Sequence, residues 1–285
     1  MRVVITGHNG QLGRQLMRAF AAHEVLPLDL PCDDITSPGV IECITRFAPD
    51  LIVHAAAYTD VDGAEKDPEL AYRVNALGTQ NVALAAQRAG AALLHVSTNE
   101  VFDGARRDPY REWDATNPLS QYARTKAAAE RIVMALVPRF YIARVAWLFG
   151  PDGNNFVTKI LAGAAKHGAL RVAADEFGNP TYAPDAAAAM AKLAEAGHYG
   201  IYHLVNGGFC SRYEFAREIM RVTGQPDIPV TPILSAEWPR PAMPPLHAVL
   251  ANSAAASLGI ALRPWQDALA EYGQTLRTQT VGTAA

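Results

Sequence analysis

The sequence predicts an α/β protein that is built on a doubly wound parallel sheet, with a smaller lobe interleaved along the chain. Two observations lead to this prediction. Up to residue 150, short apolar runs rich in β-branched residues alternate with segments that have helical spacing. The strand-like runs are almost continuously apolar, which is typical of parallel strands that are covered by helices on both faces.

The elements of the first half follow from periodicity. Val3, Val4 and Ile5 form a β-branched run, and Leu12 and Leu16 recur on one face of the next segment. Similar alternation continues to residue 57. Strands are therefore expected at 3–6, 24–28 and 49–57, and helices at 11–22 and 37–48.

Helix-boundary residues define the next elements. Pro68 can open a long helix and Gly90 can end it, because proline suits the first turn and glycine suits the left-handed position past the end. Pro118 and Ser120 precede another helical segment. The expected elements are helices at 68–89 and 121–137, and strands at 91–98 and 139–150.

The pattern becomes irregular after residue 150, where glycine and proline increase and the segment 226–250 is rich in proline. A helix at 185–197 and a strand at 200–205 are expected to return to the sheet. We therefore predict a dinucleotide-binding core of residues 1–149 and 182–206. A substrate-binding lobe would comprise 150–181 and 207–275, followed by a loose tail of 276–285.

Composition narrows the class of protein. The chain has 285 residues and a formal net charge of -3, with basic residues scattered, so no nucleic-acid-binding surface is expected. Its three cysteines show no CxxC spacing and its eight histidines no HxxxH pair, which indicates free thiols and no metal site. The sequence shows neither a signal peptide nor a transmembrane run, and we expect a cytoplasmic protein, monomeric or homodimeric.

The stretch "TGHNGQLG" places Gly7, Gly10 and Gly13 between the first strand and the first helix. A backbone that turns tightly and approaches a pyrophosphate needs residues without Cβ, and the helix N-terminus attracts phosphate. This context predicts a Rossmann-like dinucleotide site. Asp29 ends the second strand, where an acid accepts hydrogen bonds from the adenosine ribose. It favours NADH over NADPH, although a solvated loop carboxylate is the alternative interpretation.

The stretch "QYARTK" places Tyr122 and Lys126 one turn apart on one helical face. Reduction of a ketone by a nicotinamide hydride creates an alkoxide that needs a proton, and an ammonium lowers the pKa of a nearby phenol. The stretch "STNEVFDG" brings hydroxyls to the end of the fourth strand. Thr98 or Ser97 could bind the reacting oxygen, which would make the two stretches walls of one oxidoreductase site. A surface helix pair is the alternative for the tyrosine and lysine.

These motifs resemble the dTDP-4-dehydrorhamnose reductase family, within the extended short-chain dehydrogenase/reductase superfamily. The resemblance also covers "DLIVHAAAYTDVDGAE", "RVAWLFGPDGNNF", "EFGNPTYAPD" and "GIYHLVNGG", in the family's order. It implies reduction of a 4-keto-6-deoxy nucleotide sugar with NADH or NADPH.

The resemblance assigns roles by position. Tyr122 corresponds to the proton donor, Lys126 to its partner and Thr98 to the hydroxyl beside the ketone. The cofactor pocket would comprise Gly7, Gly10, Gln11, Leu12, Gly13, Asp29, Asp34, Ile35, Ala56, Ala57, Tyr58, Val96, Tyr122 and Lys126. The sugar would meet Thr98, Asn99, Glu100, Trp147, Asn155 and Phe156.

The sequence departs from the family pattern in three places. Asn99 and Glu100 stand where the family usually has Asp-Tyr, so one charge is lost and another appears. The stretch "MPPLHAVL" lacks the family's substrate-phosphate arginine, and Arg240 is a candidate replacement. Gln15 replaces an acid that binds magnesium in some members, so no metal is predicted.

The predicted activity is reduction of the C4 ketone of dTDP-4-dehydrorhamnose to dTDP-L-rhamnose. Glu100 and the missing arginine leave open a reductase or epimerase of another nucleotide sugar. A non-catalytic regulatory subunit with the same fold is a further alternative, against which the intact Tyr122 and Lys126 argue.

Overall fold

A parallel sheet of six strands forms the centre of the molecule. The structure is a computed structural model that describes residues 1–31 and 33–282, with side chains to residue 278. Its strands are β1 (Arg2–Thr6), β2 (Glu24–Leu28), β3 (Leu51–His54), β4 (Ala92–Thr98), β5 (Phe140–Val145), β6 (Leu148–Phe149), β7 (Leu170–Ala173), β8 (Phe177–Gly178), β9 (Thr181–Tyr182), β10 (Gly200–His203), β11 (Cys210–Ser211) and β12 (Val230–Ile233). The central order is β10-β5-β4-β3-β1-β2, and each neighbouring pair is parallel.

Helices cover both faces of this sheet. They are α1 (Gln11–Ala19), α2 (Gly39–Phe47), α3 (Val61–Lys66), α4 (Pro68–Tyr72), α5 (Thr79–Ala89), α6 (Gln121–Leu136), α7 (Phe156–His167), α8 (Ala183–Ala196), α9 (Arg212–Val222), α10 (Ser253–Ser257) and α11 (Trp265–Gly282). Successive strand residues point to opposite faces, so Val3 and Ile5 pack with α1 and α8 while Val4 packs with α2, α5 and α6. The predicted doubly wound α/β fold is confirmed.

A third apolar cluster lies in the second half of the chain. Phe149, Val157, Phe215, Trp265 and Leu269 pack together there, beside the two-stranded pairs β6-β9, β7-β12 and β8-β11. The short helix α10 packs instead on the α1 and α8 side of the central sheet. The division into a dinucleotide core and a substrate lobe stays a prediction.

Three local features differ from the sequence expectations. The fifth strand stops at Val145, because Trp147 takes a left-handed φ of 44° and β6 then pairs with β9. The long helix from Pro68 contains a π-helical turn at Arg73–Gly78 before it ends at Gly90. Helix α11 continues to Gly282 where a loose tail was expected from residue 276, and residues 283–285 lie outside the described residues.

The thiols of Cys43 and Cys210 are free, and Cys32 lies outside the described residues. Within the described ranges, no helix combines the length and the apolar character that a membrane span requires.

Candidate active site

A cleft of about 1550 Å³ opens at the C-terminal ends of the central strands. The strand order reverses between β1 and β3, and ligands of doubly wound sheets bind at such a reversal. Most of the predicted site residues line this cleft: Gly7, Gly10, Gln11, Leu12, Gly13, Asp29, Asp34, Ile35, Ala56, Ala57, Val96, Thr98, Asn99, Glu100, Tyr122, Lys126, Trp147 and Phe156. Tyr58 and Asn155 are not among the lining residues.

The glycine turn leaves room that a side chain would fill. A Cβ on Gly7 would lie 2.6 Å from the Ala56 backbone nitrogen, and one on Gly13 would lie 2.0 Å from the Gly7 carbonyl oxygen. Gly10 occupies the N-cap of α1 and brings no capping side chain, so N–H groups of the first turn stay open. Gln11 Nε2 is buried and has no hydrogen-bond partner among the described residues. The turn therefore fits a dinucleotide pyrophosphate.

Asp29 is held at the end of β2 by two backbone N–H groups. Asn9 N donates to its Oδ2 and Leu30 N donates to its Oδ1, both at 2.8 Å. The carboxylate is thereby fixed at the rim of the cleft, where an adenosine ribose would be recognised. Ile35 is buried nearby against Gly78, whose added Cβ would lie 2.8 Å from Ile35 Cδ1.

Tyr58 and Asn155 are tied to other parts of the protein by hydrogen bonds. The backbone of Tyr58 is held by the Asn75 side chain: Tyr58 N donates to Asn75 Oδ1 at 2.8 Å, and Asn75 Nδ2 donates to Tyr58 O at 3.1 Å and to Thr125 Oγ1 at 2.9 Å. Asn155 caps α7, and its Nδ2 donates to Gly150 O at 2.9 Å and to Gln11 Oε1 at 3.2 Å. The Asn155 side chain therefore joins the start of α7 to a residue that lines the cleft.

Tyr122 meets the end of β4. Ser120 caps α6 by accepting from Ala123 N at 3.1 Å, and Tyr122 follows in the first turn with its hydroxyl hydrogen-bonded to the Thr98 side chain. Burial and then the charge of Glu100 raise the pKa of Tyr122, while the bond with Thr98 opposes them. Tyr122 therefore keeps its proton at neutral pH, whereas the sequence predicted a phenol whose pKa Lys126 would lower.

Lys126 lies one turn further along α6 and is buried. Its Nζ donates to Val96 O at 2.7 Å and to His95 Nε2 at 3.2 Å. An ammonium has only donors, so His95 Nε2 must accept, and we infer a neutral His95 with its proton on Nδ1. Burial lowers the pKa of Lys126 to about 8, and the charge of Glu130 acts in the opposite direction.

Ser97 and Thr98 have different partners. Ser97 Oγ donates to Glu130 Oε1 at 2.6 Å, and the same carboxylate accepts from Arg144 Nε at 2.9 Å and Nη2 at 2.7 Å. Ser97 therefore belongs to a buried ion-pair network behind the site. Thr98 is the hydroxyl of this pair that is hydrogen-bonded to Tyr122.

A group of charged side chains also lines the cleft: Glu100, Glu176, Arg212 and Arg240. The Arg212 guanidinium stacks over the Trp147 ring, with Cζ 3.6 Å from its centroid, and lies 4.8 Å from the centroid of Phe156. Burial lowers the pKa of Arg212 to about 10, which still leaves it charged.

Glu100 is one of the residues that line the cleft. Burial raises its pKa to about 6, although Arg212 and Arg240 pull the pKa down. Its Oε2 is buried and lacks a hydrogen-bond partner in the described part of the chain. The carboxylate of Glu100 thus keeps acceptor capacity that no described protein group uses.

Sequence reasoning missed Arg212 and Glu176. The pattern "CSRYEF" does predict a helix start, since Ser211 and Glu214 form a capping box in the structure. That Arg212 would lie over Trp147 depends on contacts between segments 65 residues apart in the chain, which local patterns do not report.

Gln15, which stands where the resemblance implies a magnesium-binding acid in some family members, is hydrogen-bonded within the protein. Gln15 Nε2 donates to Asp152 Oδ2 at 3.2 Å, and Arg18 Nη1 donates to Gln15 Oε1 at 2.8 Å. Across residues 1–31 and 33–282, no group of three or more His, Cys, Asp or Glu residues could hold a metal ion.

Comparison with known proteins supports a single family. The family profile described as RmlD substrate binding domain matches residues 1–278. The dTDP-4-dehydrorhamnose reductase of Mycobacterium tuberculosis is 42% identical over 278 residues, which cover 94% of this chain and 91% of the relative.

Solved structures agree with this result. A dTDP-4-dehydrorhamnose reductase from Clostridium acetobutylicum is 39% identical with a TM-score of 0.93, covering 97% of this chain and 100% of the other. The Bacillus anthracis enzyme, in complex with NADP, is 36% identical with a TM-score of 0.91, covering 95% and 98%. The chain therefore belongs to the dTDP-4-dehydrorhamnose reductase family of oxidoreductases.

Proposed function

We propose that this protein reduces the C4 ketone of dTDP-4-dehydro-6-deoxy-L-mannose (dTDP-4-dehydrorhamnose) to dTDP-L-rhamnose. The observation that carries the proposal is the contact between the Tyr122 hydroxyl and the Thr98 side chain, inside a cleft that also contains a dinucleotide turn. The names of the relatives at about 40% identity point to the same substrate.

In this mechanism Tyr122 is the proton donor. The nicotinamide, when bound, supplies the hydride. Tyr122 keeps its proton because burial and Glu100 raise its pKa, so it can protonate the alkoxide that forms at the ketone carbon. Thr98 donates a hydrogen bond to the same oxygen. Lys126, fixed by Val96 O and His95, presents a positive charge to the nicotinamide ribose.

Replacement of Tyr122 tests this role. Tyr122→Phe should lower kcat by about 10²-fold or more while NADH binding is retained, because only the proton donor is removed. Turnover is followed by nicotinamide absorbance with enzymatically made dTDP-4-dehydrorhamnose. Tyr72→Phe, at a tyrosine that is 46% exposed, is the matched control and should keep wild-type turnover. Full activity in Tyr122→Phe would remove the phenol from the mechanism.

For the cofactor, we propose a preference for NADH over NADPH. Asp29 is anchored by Asn9 N and Leu30 N, so its carboxylate cannot easily turn away from a ribose 2′-phosphate. The relative from Bacillus anthracis was solved with NADP, and both cofactors belong in the assay. We expect wild-type kcat/KM to favour NADH by about 10-fold, the factor that about 1.4 kcal/mol of repulsion gives. Asp29→Ser should reduce this ratio; a ratio that does not change would remove Asp29 from cofactor selection.

A second candidate function is reduction of a different nucleotide sugar. Glu100 favours it, because its Oε2 is buried without a hydrogen-bond partner in the described residues and the family usually has a tyrosine at this position. A panel of 4-keto nucleotide sugars that varies base and sugar separates the two candidates. We also propose that the protein is cytoplasmic and that it is a monomer or a homodimer; light scattering of the purified protein tests the oligomeric state.

A further inference from the structure

The two polar residues at the end of β4 are used differently. Asn99 is 4% exposed; its Nδ2 donates to Ala248 O at 3.0 Å and its Oδ1 accepts from Thr98 Oγ1 at 3.3 Å. The amide expected to contact the sugar is therefore bound to the protein. Glu100 is different, because its Oε2 is buried at the cleft without a partner in the described residues. Glu100 is the strand-end side chain with an acceptor to offer.

Thr98 places Glu100 beside the reaction centre. Glu100 N donates to Thr98 Oγ1 at 3.2 Å, and the Thr98 side chain is hydrogen-bonded to the Tyr122 hydroxyl. The charge of Glu100 also acts directly on Tyr122. A substrate whose ketone oxygen lies at Thr98 and Tyr122 will therefore place a neighbouring substituent near Glu100.

The surrounding charges determine which substituent fits. Arg212 and Arg240 lie near Glu100 and balance part of the negative charge that Glu100, Glu176 and Asp62 carry together. The three carboxylates still outnumber the two guanidinium groups, so an anionic group is disfavoured. An apolar group would leave a carboxylate oxygen without a hydrogen bond, which costs free energy. A neutral hydrogen-bond donor, such as a hydroxyl, satisfies the carboxylate without adding charge to the cleft.

The arginines are engaged elsewhere. Arg212 Nε lies 3.8 Å from Glu176 Oε2, and Arg240 Nη2 lies 3.5 Å from Glu176 Oε1. Arg212 is held further by its stacking on Trp147. Glu176 therefore anchors both guanidinium groups, and Glu100 is left to bind a ligand.

We propose that Glu100 accepts a hydrogen bond from the hydroxyl on the carbon next to the reduced ketone, and so selects nucleotide sugars that carry this hydroxyl. The assignment rests on the proposed reductase function. In the proposed substrate the group is the C3 hydroxyl, since C5 carries a methyl group instead. Glu100 is thus a specificity-determining residue of this chain.

The test compares the parent ketone with its 3-deoxy analogue, both as dTDP-linked sugars. Wild type should prefer the parent by about 10- to 100-fold in kcat/KM, because the analogue leaves the buried carboxylate unpaired. Glu100→Leu removes the acceptor and should bring this ratio to within about 3-fold of one, mainly because kcat/KM for the parent falls. Glu100→Gln retains an acceptor oxygen and should keep an intermediate ratio.

A matched control uses another carboxylate of the cleft. Asp103 already accepts from the Tyr110 hydroxyl and from Asn117 Nδ2, so Asp103→Asn should keep the wild-type ratio. A Glu100→Leu enzyme that still reduces the 3-deoxy analogue shows that the fold and the hydride transfer are intact.

Two outcomes overturn the assignment alone: a wild-type ratio near one, or an equal ratio in wild type and Glu100→Leu, with the parent reduced in each case. A wild type that binds NADH but does not reduce the parent overturns the proposed function, and the C3 assignment with it. A ratio that falls in Glu100→Leu and persists in Asp103→Asn supports the proposal.

Discussion

Replacement of Glu130 by glutamine should destabilise the protein strongly. Glu130 and Arg144 form an ion pair at 2.7 Å, and each side chain is only 3% exposed. Glutamine keeps the size of the side chain but removes the charge that compensates Arg144. The guanidinium would then retain Glu112 O at 3.3 Å and His203 Nε2 at 3.4 Å, which are neutral acceptors. Loss of one partner of a buried pair costs about 3–5 kcal/mol.

Urea unfolding followed by tryptophan fluorescence measures this cost. With an m-value of about 3 kcal/mol per molar, the midpoint should fall by about 1–1.7 M. Glu42→Gln is the control, because the Glu42 and Arg88 side chains are 71% and 54% exposed, and its effect should stay below about 1 kcal/mol. A Glu130→Gln protein that unfolds within about 1 kcal/mol of wild type would refute the role of this pair.

The same substitution has a catalytic readout. Glu130 opposes the lowering of the Lys126 pKa that burial causes. Without that carboxylate the pKa of Lys126 should fall further below about 8, and the ammonium should be lost at lower pH. The alkaline limb of the kcat/KM profile should therefore move to lower pH in Glu130→Gln and stay in place in Glu42→Gln.

Two further substitutions probe the cleft. Gly13→Ala should lower the free energy of unfolding by about 2 kcal/mol or more and weaken NADH binding, because its Cβ would lie 2.0 Å from Gly7 O. Gly39→Ala is the control for thermal unfolding, and it should be nearly neutral because its Cβ would lie 3.6 Å from Ser37 Oγ. Glu100 has a folded-state pKa of about 6 against an ordinary 4.5, so its contribution to stability is present below 4.5 and lost as pH rises through 6. Glu100→Gln should therefore gain about 2 kcal/mol relative to wild type between about pH 4 and 7 in urea titrations; a constant difference would contradict the shift.

Much of the fold could be predicted from the sequence because its signals are local. Val3, Val4 and Ile5 predict β1, and the left-handed Gly90 marks the end of α5. The break after Val145 could not be predicted in this way. The run "RFYIARVAWLFG" is apolar throughout, and only the pairing of β6 with β9 shows why the chain turns at Trp147.

The site, like the fold, combines features that local sequence predicts with contacts that it does not. The glycine turn and the Tyr122–Lys126 spacing are encoded within a few residues, so their cleft positions could be predicted. The partners of Lys126, Asn99 and Arg212 come from other strands and loops, and no local pattern specifies them. Asn155 shows that a local pattern can also mislead. Its amide was expected to contact the sugar, but in the structure the Asn155 side chain caps the N-terminus of α7.

The buried polar layer between β4 and α6 is costly, and its arrangement explains why the chain retains it. Strand residues two apart share a face, so His95 and Ser97 both point towards α6, where Lys126 and Glu130 lie one turn apart. Ser97 and Arg144 hold Glu130, whose charge helps to keep Lys126 protonated; His95 and Val96 O hold the ammonium itself. Thr98 is the last residue of β4, directly after Ser97, and Tyr122 lies one turn before Lys126 on α6. The layer therefore fixes the positions of Thr98 and Tyr122 relative to the cleft. An apolar layer would avoid the desolvation cost of buried charges, but it would leave Lys126 without the neighbours that orient its charge.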